Sequence, residues 1–296
     1  MKKSIRFILV LMILPFVAFA QEDSETQNDT LAQAKEKLER AAFESSYIID
    51  NQTDVLLRKN ALEVMFQHRF GTIDTWEDFY GMWGAANIRI GASYGVHERV
   101  TIGFGTTKNK LYQDFNAKVA ILRQTRKDKM PVNLSYYGNF TYRAEKQKST
   151  NNPPITGHQD RYSYFHQLIL SRRFSPNFSM QFAPSVSHYN AVYEGMQNDR
   201  FAIALGARYK ITPNTAILVD YSQPLTQFEV SDEETRYSNH PGLSLGFEFG
   251  TSGHAFQLFV SNYWGIVNQD NYMWNTNDFF AGDVLIGFNI TRIYNF

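Results

Sequence analysis

Asn87-Ile88-Arg89-Ile90-Gly91-Ala92-Ser93-Tyr94 and Val100-Thr101-Ile102-Gly103-Phe104-Gly105, separated by a short link beginning Gly95-Val96-His97-Glu98, decide the fold. In the first run Ile88, Ile90, Ala92 and Tyr94 alternate with Asn87, Arg89, Gly91 and Ser93. In the second, Val100, Ile102 and Phe104 alternate with Thr101, Gly103 and Gly105. Residues two apart share one face of a strand, so each run has one apolar face and one polar or small face.

The same dyad pattern starts near Leu62, where Leu62, Val64 and Phe66 alternate with Glu63, Met65 and Gln67. It continues through residues 115–121, 132–142, 162–174, 178–186, 201–209, 215–221, 243–249, 256–260 and 284–296. That makes about twelve segments of roughly ten residues each, the length and pattern of membrane-crossing strands. A soluble sandwich also alternates, so the links between segments carry the distinction. After every second segment the link is brief, at residues 95–98, 124–130, 175–177, 212–214 and 250–254. The intervening links are long, at 71–84, 145–160, 191–199, 223–242 and 263–282, with 108–110 the one exception. Sorting of loop length by strand parity predicts an all-β transmembrane antiparallel barrel, with short turns on the periplasmic rim and long loops outside.

Both ends of the chain agree. Lys2, Lys3 and Arg6 precede an apolar run over residues 7–19, which closes on Ala18-Phe19-Ala20. This reads as a signal peptide over residues 1–20, because a spanning helix needs about twenty apolar residues. Residues 21–60 are polar. Leu31, Ala34, Leu38 and Ala41 recur there at helical spacing, with Thr30 and Gln33 as a capping box, so they predict a partly helical periplasmic segment ahead of a barrel over 61–296. At the far end Val284, Ile286, Phe288, Ile290, Tyr294 and Phe296 share a face. The terminal aromatic, Phe296, resembles the signal read by the bacterial barrel-assembly machinery. Arg292 interrupts this face close to the rim, where a long side chain can snorkel.

Composition excludes several classes. The chain has no Cys, so it forms no disulfide, carries no thiolate chemistry and cannot be anchored through a lipidated cysteine. It has 29 basic and 29 acidic residues. Loss of the signal peptide leaves a slight acidic excess, which gives no footing for nucleic acid. Outer-membrane lipid and the assembly machinery are the expected partners, with a small solute as a further one.

Several stretches resemble a family of β-barrel proteins common in Bacteroidota, the domain-of-unknown-function 5777 family. They are Gln67-His68-Arg69-Phe70-Gly71, Ala86-Asn87-Ile88-Arg89-Ile90-Gly91, Leu122-Arg123-Gln124, Gly253-His254-Ala255-Phe256-Gln257-Leu258, Ser261-Asn262, Asp278-Phe279-Phe280-Ala281-Gly282-Asp283 and Gly287-Phe288-Asn289-Ile290-Thr291-Arg292. The resemblance covers most of the chain after Phe43. It implies an outer-membrane barrel of undetermined activity and supplies no catalytic residues.

The residues themselves show no catalytic, cofactor or metal site. A barrel lipase needs His-x-Ser on one strand face, and the chain has none. His158 and Asp160 have the spacing of an omptin-like pair, but Asn152-Pro153-Pro154 and Gly157 mark a loop. The lumen face is more informative. By parity it carries Arg69, Arg89, Lys118, Arg143, Arg161, Arg173, Arg200, Arg208 and Lys210, against Glu63, Asp114, Asp220, Glu248 and Asp283. These charges either line an aqueous path that favours anions or pair with one another in a filled interior. All four tryptophans, Trp76, Trp83, Trp264 and Trp274, fall in the first or last long loop, which barrel closure makes neighbours. They predict an aromatic cluster at the outer mouth, either a ligand site or packing at the closure seam. The leading function is a passive or gated channel for small hydrophilic solutes. The alternative is a structural or docking barrel for a periplasmic or surface partner, and a lipid-modifying barrel enzyme is a distant third.

Overall fold

Period-two alternation offers lipid one face and an interior the other, but only a closed sheet leaves no backbone edge unpaired in a membrane. The computed structural model closes twelve antiparallel strands into such a barrel. It describes residues 36–296 except 75, 149, 150, 152, 194, 195, 227–238 and 252. The expected signal peptide, and the first part of the segment expected to be periplasmic, lie outside the described residues.

A small hairpin comes first, β1 (Tyr47–Ile48) and β2 (Asn51–Gln52). The barrel follows as β3 (Ala61–Thr72), β4 (Asn87–His97), β5 (Val100–Thr107), β6 (Tyr112–Leu122), β7 (Asn133–Arg143) and β8 (Tyr162–Arg173). It continues through β9 (Phe178–Tyr189), β10 (Asp199–Thr212), β11 (Thr215–Pro224), β12 (Gly242–Thr251), β13 (His254–Ser261) and β14 (Leu285–Asn295). A helix, α1 (Asn268–Trp274), lies in the loop before β14. Every barrel strand pairs with its sequence neighbours, and β14 returns to β3 with Phe288 opposite His68. At that seam the His68 and Phe288 rings stack 5.1 Å apart on the outer surface.

Exposure follows the dyad. Phe201 is 58% exposed, Leu258 53% and Ile90 52%, while the alternate residues Arg200, Gln257 and Arg89 are buried. An apolar belt of this extent is unfavourable against water and is what lipid covers. Arg292 lies at the short-turn end of β14 with its guanidinium 4.7 Å from the Tyr294 ring. Phe296 follows β14 and is 83% exposed.

The segment ahead of the barrel departs from expectation. Residues 36–41 form no helix; Leu38 instead makes an extended bridge to Thr125 in the link between β6 and β7. The Glu39 N–H donates to the Gln124 carbonyl, and Arg173 pairs with Glu39. From this short-turn rim the chain runs into the lumen, reverses at the β1–β2 hairpin and returns to begin β3. Ala42, Phe43, Ile48, Ile49 and Leu57 are all buried. The physical reason lies in the pattern: the helical repeat covers only part of residues 21–60. The stretch after it has no sustained period and mixes short polar and apolar runs that a polar lumen can satisfy.

Candidate functional site

The lumen wall is built by strand parity. On β3 the inward residues include Glu63, Gln67 and Arg69; on β4, Asn87 and Arg89; on β6, Asp114 and Lys118. β10 contributes Arg200 and Arg208, β11 Asp220 and Ser222, β12 Ser244 and Glu248, β13 Gln257 and Ser261, and β14 Asn289. All are buried, although the wall is a polar surface. The wall does not fill the lumen by itself.

Two chain segments do. The N-terminal hairpin rises from the short-turn rim, and the wall donates to its main-chain carbonyls. Gln257 Nε2 reaches the Tyr47 carbonyl at 2.9 Å, Asn289 Nδ2 the Ile49 carbonyl at 2.9 Å, and Gln181 Nε2 the Gln52 carbonyl at 2.8 Å. Lys118 Nζ donates to the Val55 carbonyl at 3.1 Å. Ser46 Oγ donates to Glu63 at 2.5 Å. The apolar part of the plug is small: Ala42, Phe43, Ile48 and Ile49 cluster with Leu218 and Phe259 of the wall.

The tip, Asp50-Asn51, is held most densely. Both of its N–H groups donate to Asp220 Oδ2 at 2.9 Å, and Asn51 Nδ2 donates to Asp220 Oδ1 and Ser222 Oγ at 2.8 Å each. The Asp50 carboxylate accepts from Arg69 Nη2 at 2.9 Å, Ser244 Oγ at 2.5 Å and Ser261 Oγ at 3.1 Å. Just before it Ile49 has φ of 62°. A β-branched residue in that region is strained, at a cost of order 1–3 kcal/mol, and persists only where its surroundings enforce it.

The second segment descends from the long-loop rim. The loop after β13 folds inward, and α1 is buried over Asn268–Met273. Gln269 Nε2 donates to Asn139 and Thr141 of β7, and the Tyr272 ring stacks on Phe165 of β8 at 5.6 Å. Asp270 accepts from Tyr112 Oη at 3.2 Å and Asn109 Nδ2 at 3.0 Å. The two inserts meet: Asn268 Nδ2 donates to the Asp50 carbonyl at 2.9 Å, and Tyr272 Oη donates to Asn51 Oδ1.

Arg69, Arg89, Lys118, Arg200, Arg208, Asp220 and Glu248 are all buried, and several of them are ion-paired. Arg89 makes a two-pronged contact with Asp114 at 2.7 and 2.9 Å, and Arg208 meets Glu248 at 2.7 Å. A Cβ at Gly105 would lie 2.2 Å from the Arg89 guanidinium, so this strand glycine leaves the space in which the pair lies. Arg143 sits at the long-loop end, paired with Glu145 and donating to the Pro153 carbonyl. Arg161 is a correction. It belongs to a 3-10 turn before β8, donates to the Arg143 and Glu145 carbonyls, and lies 5.9 Å from the outward Tyr142 ring. Strand parity does not extend into that turn.

The tryptophans do not gather into one cluster. Trp83 is 76% exposed and stacks on Phe79. Trp264 Nε1 donates to the Ala85 carbonyl, tying the first and last long loops together at the seam. Trp274 turns to the other side of the mouth, edge-on to Tyr189 and Tyr193. The side chain of Trp76 lies outside what is described. His158 and Asp160 have separate structural tasks. His158 Nδ1 is 2.7 Å from Tyr162 Oη; the Thr156 hydroxyl and the Gly157 N–H donate to Asp160, holding its carboxyl below the usual range.

A family model described as a membrane-bound β-barrel domain, DUF5777, matches residues 43–294. The chain belongs to the DUF5777 family. The match begins at Phe43, so it takes in the luminal hairpin as well as the wall. No curated protein sequence matches the chain. Among solved structures, the DUF5777 barrel is similar in fold to the COG4313 outer-membrane channel from Pseudomonas putida F1. The TM-score is 0.51 at 10% identity, covering 81% of this chain and 97% of that one. The NanC porin matches with a TM-score of 0.47 at 10% identity over 79% and 99% of the two chains. The KdgM porin gives 0.44 at 6% identity over 80% and 99%. The DUF5777 barrel is thus a membrane-bound β-barrel that shares its fold with the COG4313 channel. Nothing in its sequence pattern marks Asp50, Asn51, Gln269 or Tyr272, because most of their partners lie far along the chain and are brought near only by barrel closure.

Proposed function

We propose that the barrel is a gated channel for small hydrophilic solutes, closed in this conformation by its own N-terminal hairpin and the inward-folded α1 loop. The observation that carries this reading is how the lumen is filled. A wall of Gln, Asn, Ser, Arg, Asp and Glu would hydrate readily once the two inserts left, whereas a barrel interior serving only as a core would be expected to bury apolar side chains. Twelve strands enclose more room than the eight whose own side chains suffice to fill a barrel. The inserts are held mainly by hydrogen bonds, which water can replace, and the strained Ile49 favours release. No reaction is assigned to the barrel.

A disulfide lock tests the gate. Asn51 Nδ2 lies 2.8 Å from Ser222 Oγ, and the chain has no native cysteine, so Asn51→Cys with Ser222→Cys creates a single pair. Oxidised protein in planar bilayers should stay silent, and reduction should produce step-like openings. Equal conductance in both states would refute the gate. Silence in both would favour the docking reading, and lipid hydrolysis by the purified protein would favour a lipid-modifying enzyme.

A further inference from the structure

We infer that the cradle around Asp50 is the recognition site for the transported solute, and that the solute carries a carboxylate beside amide N–H donors, as a short acidic peptide or an N-acylated acidic amino acid does. The inference rests on the gated-channel reading and names its substrate class. The plug tip occupies the site as a built-in ligand. Its carboxylate takes the place of the solute carboxylate on Arg69, Ser244 and Ser261, and its N–H groups take the place of solute amides on Asp220.

The cradle is built from wall residues that also hold one another. The guanidinium of Arg69 is held by Asn289 Oδ1 at 3.0 Å and by the His68 carbonyl at 3.0 Å, and it lies 4.4 Å from the Phe259 ring centroid. Ser244 Oγ and Ser261 Oγ lie 2.7 Å apart, and Ser261 accepts from the Tyr263 N–H. A Cβ at Gly287 would lie 2.4 Å from the Phe259 ring and 2.9 Å from Arg69, so the strand is glycine where the cation lies against it. A pre-positioned Arg with two hydroxyls is a carboxylate binder. The neighbouring carboxylate, Asp220, would repel a second anion, so it selects for donors. That combination separates amide-bearing acids from plain dicarboxylates. Aligned with it, Gln257, Asn289 and Gln181 present amide donors that already bind peptide carbonyls of the plug.

Competition with the tip gives the test. Full-length protein with Asp50→Ala, folding verified by heat-modifiable migration, is titrated calorimetrically with N-acetyl-aspartate methylamide, N-acetyl-asparagine methylamide and succinate. The aspartate probe should bind at least about tenfold more tightly than either other probe, the discrimination one charge-assisted pair supplies. It should bind the unaltered protein, whose cradle is occupied, at least about tenfold more weakly. Adding Arg69→Gln should abolish the preference. If Asp50→Ala does not fold, the isosteric Asp50→Asn serves in its place. Equal binding of the aspartate and asparagine probes, or a preference that survives Arg69→Gln, would overturn the site. Succinate binding as tightly as the aspartate probe would overturn the amide-bearing class. Each of these failures can occur while the disulfide lock still opens on reduction. A lock that never conducts strikes the channel reading itself.

Discussion

Asp50 and Arg69 meet at 2.9 Å across the boundary between plug and wall, with side-chain exposures of 2% and 0%. One ion belongs to the segment proposed to leave, and the other to a strand of the wall. Such a pair is stable only while both partners are present, because either one alone is a buried charge without compensation. Joined, they fix the register of the hairpin tip; separated, they leave a cation in the barrel wall.

Removing the mobile partner should therefore loosen the plug without opening the sheet. Asp50→Asn is expected to raise the open probability in bilayers and to increase proteolysis within residues 36–60. The heat-modifiable migration of the barrel should stay unchanged. Loss of the folded band with no change in conductance would show that the pair holds the barrel and not the gate.

The pairs that lie wholly within the wall should behave oppositely. Arg89→Glu would face Asp114, and Arg208→Glu would face Glu248, in a medium with little water. Breaking a buried pair costs about 3–5 kcal/mol, so each variant should unfold at visibly lower temperature in a gel-shift assay. Exchanging the charges, Arg89→Asp with Asp114→Arg, should recover part of that loss. Unaltered heat resistance in the single variants would mean that water reaches these pairs.

Surface labelling separates the loops that face outward from the one that folds in. A cysteine in place of Phe280, which is 88% exposed on the long-loop rim, should label on intact cells. One at Asn177 or Asn214, in short turns, should label only after lysis. A cysteine at Asn271 should resist labelling in both, because α1 buries it in the lumen. Rapid labelling of Asn271→Cys would show that the α1 loop does not occupy the lumen.

The barrel is legible in sequence because lipid and lumen impose opposite demands on successive residues, and parity alone turns Arg69, Arg89, Lys118, Arg200, Arg208, Asp220 and Glu248 inward. Loop length by parity is legible for the same reason, since turns and strands alternate along the chain. The plug is not. Residues 36–60 carry no sustained period, and their placement depends on partners such as Asp220 and Ser244, brought near only by barrel closure. The tryptophans mislead because adjacency of two loops at the rim says nothing about a loop that turns inward: α1 takes Trp274 away from Trp264 and Trp83.

Phe296 is proposed as an assembly signal, and two changes in and after β14 should separate that role from stability. Deleting Phe296, which is exposed beyond the end of β14, should lower the amount of barrel reaching the outer membrane but not the heat resistance of what arrives. Phe288→Arg should reduce both, since an arginine on the lipid face near mid-bilayer costs about 2–4 kcal/mol. Normal levels of both variants would contradict the role given to the terminal aromatic and the outward facing of Phe288.

Selectivity is the last expectation, and it follows from what the plug covers. In the closed lumen, Arg69 is balanced by Asp50, and Lys118 donates to the Ser46 and Val55 carbonyls. Withdrawal of the hairpin removes those partners while Arg89 and Arg208 keep Asp114 and Glu248. The open path thus leaves Arg69, Lys118 and Arg200 on the wall against the carboxylates Glu63, which faces Lys118, and Asp220, a small basic excess. Lumen charges tune selectivity while the lipid-facing surface stays intact, so the reduced form of the disulfide-lockable protein should prefer anions. Replacing Arg69 and Lys118 with Gln in that background should weaken the preference, and replacing both with Glu should move the reversal potential toward cations. Conductance should persist throughout. A reversal potential indifferent to both positions would mean that ions cross by a route the hairpin does not block, and the plug would then have to be regarded as a fixed part of the wall.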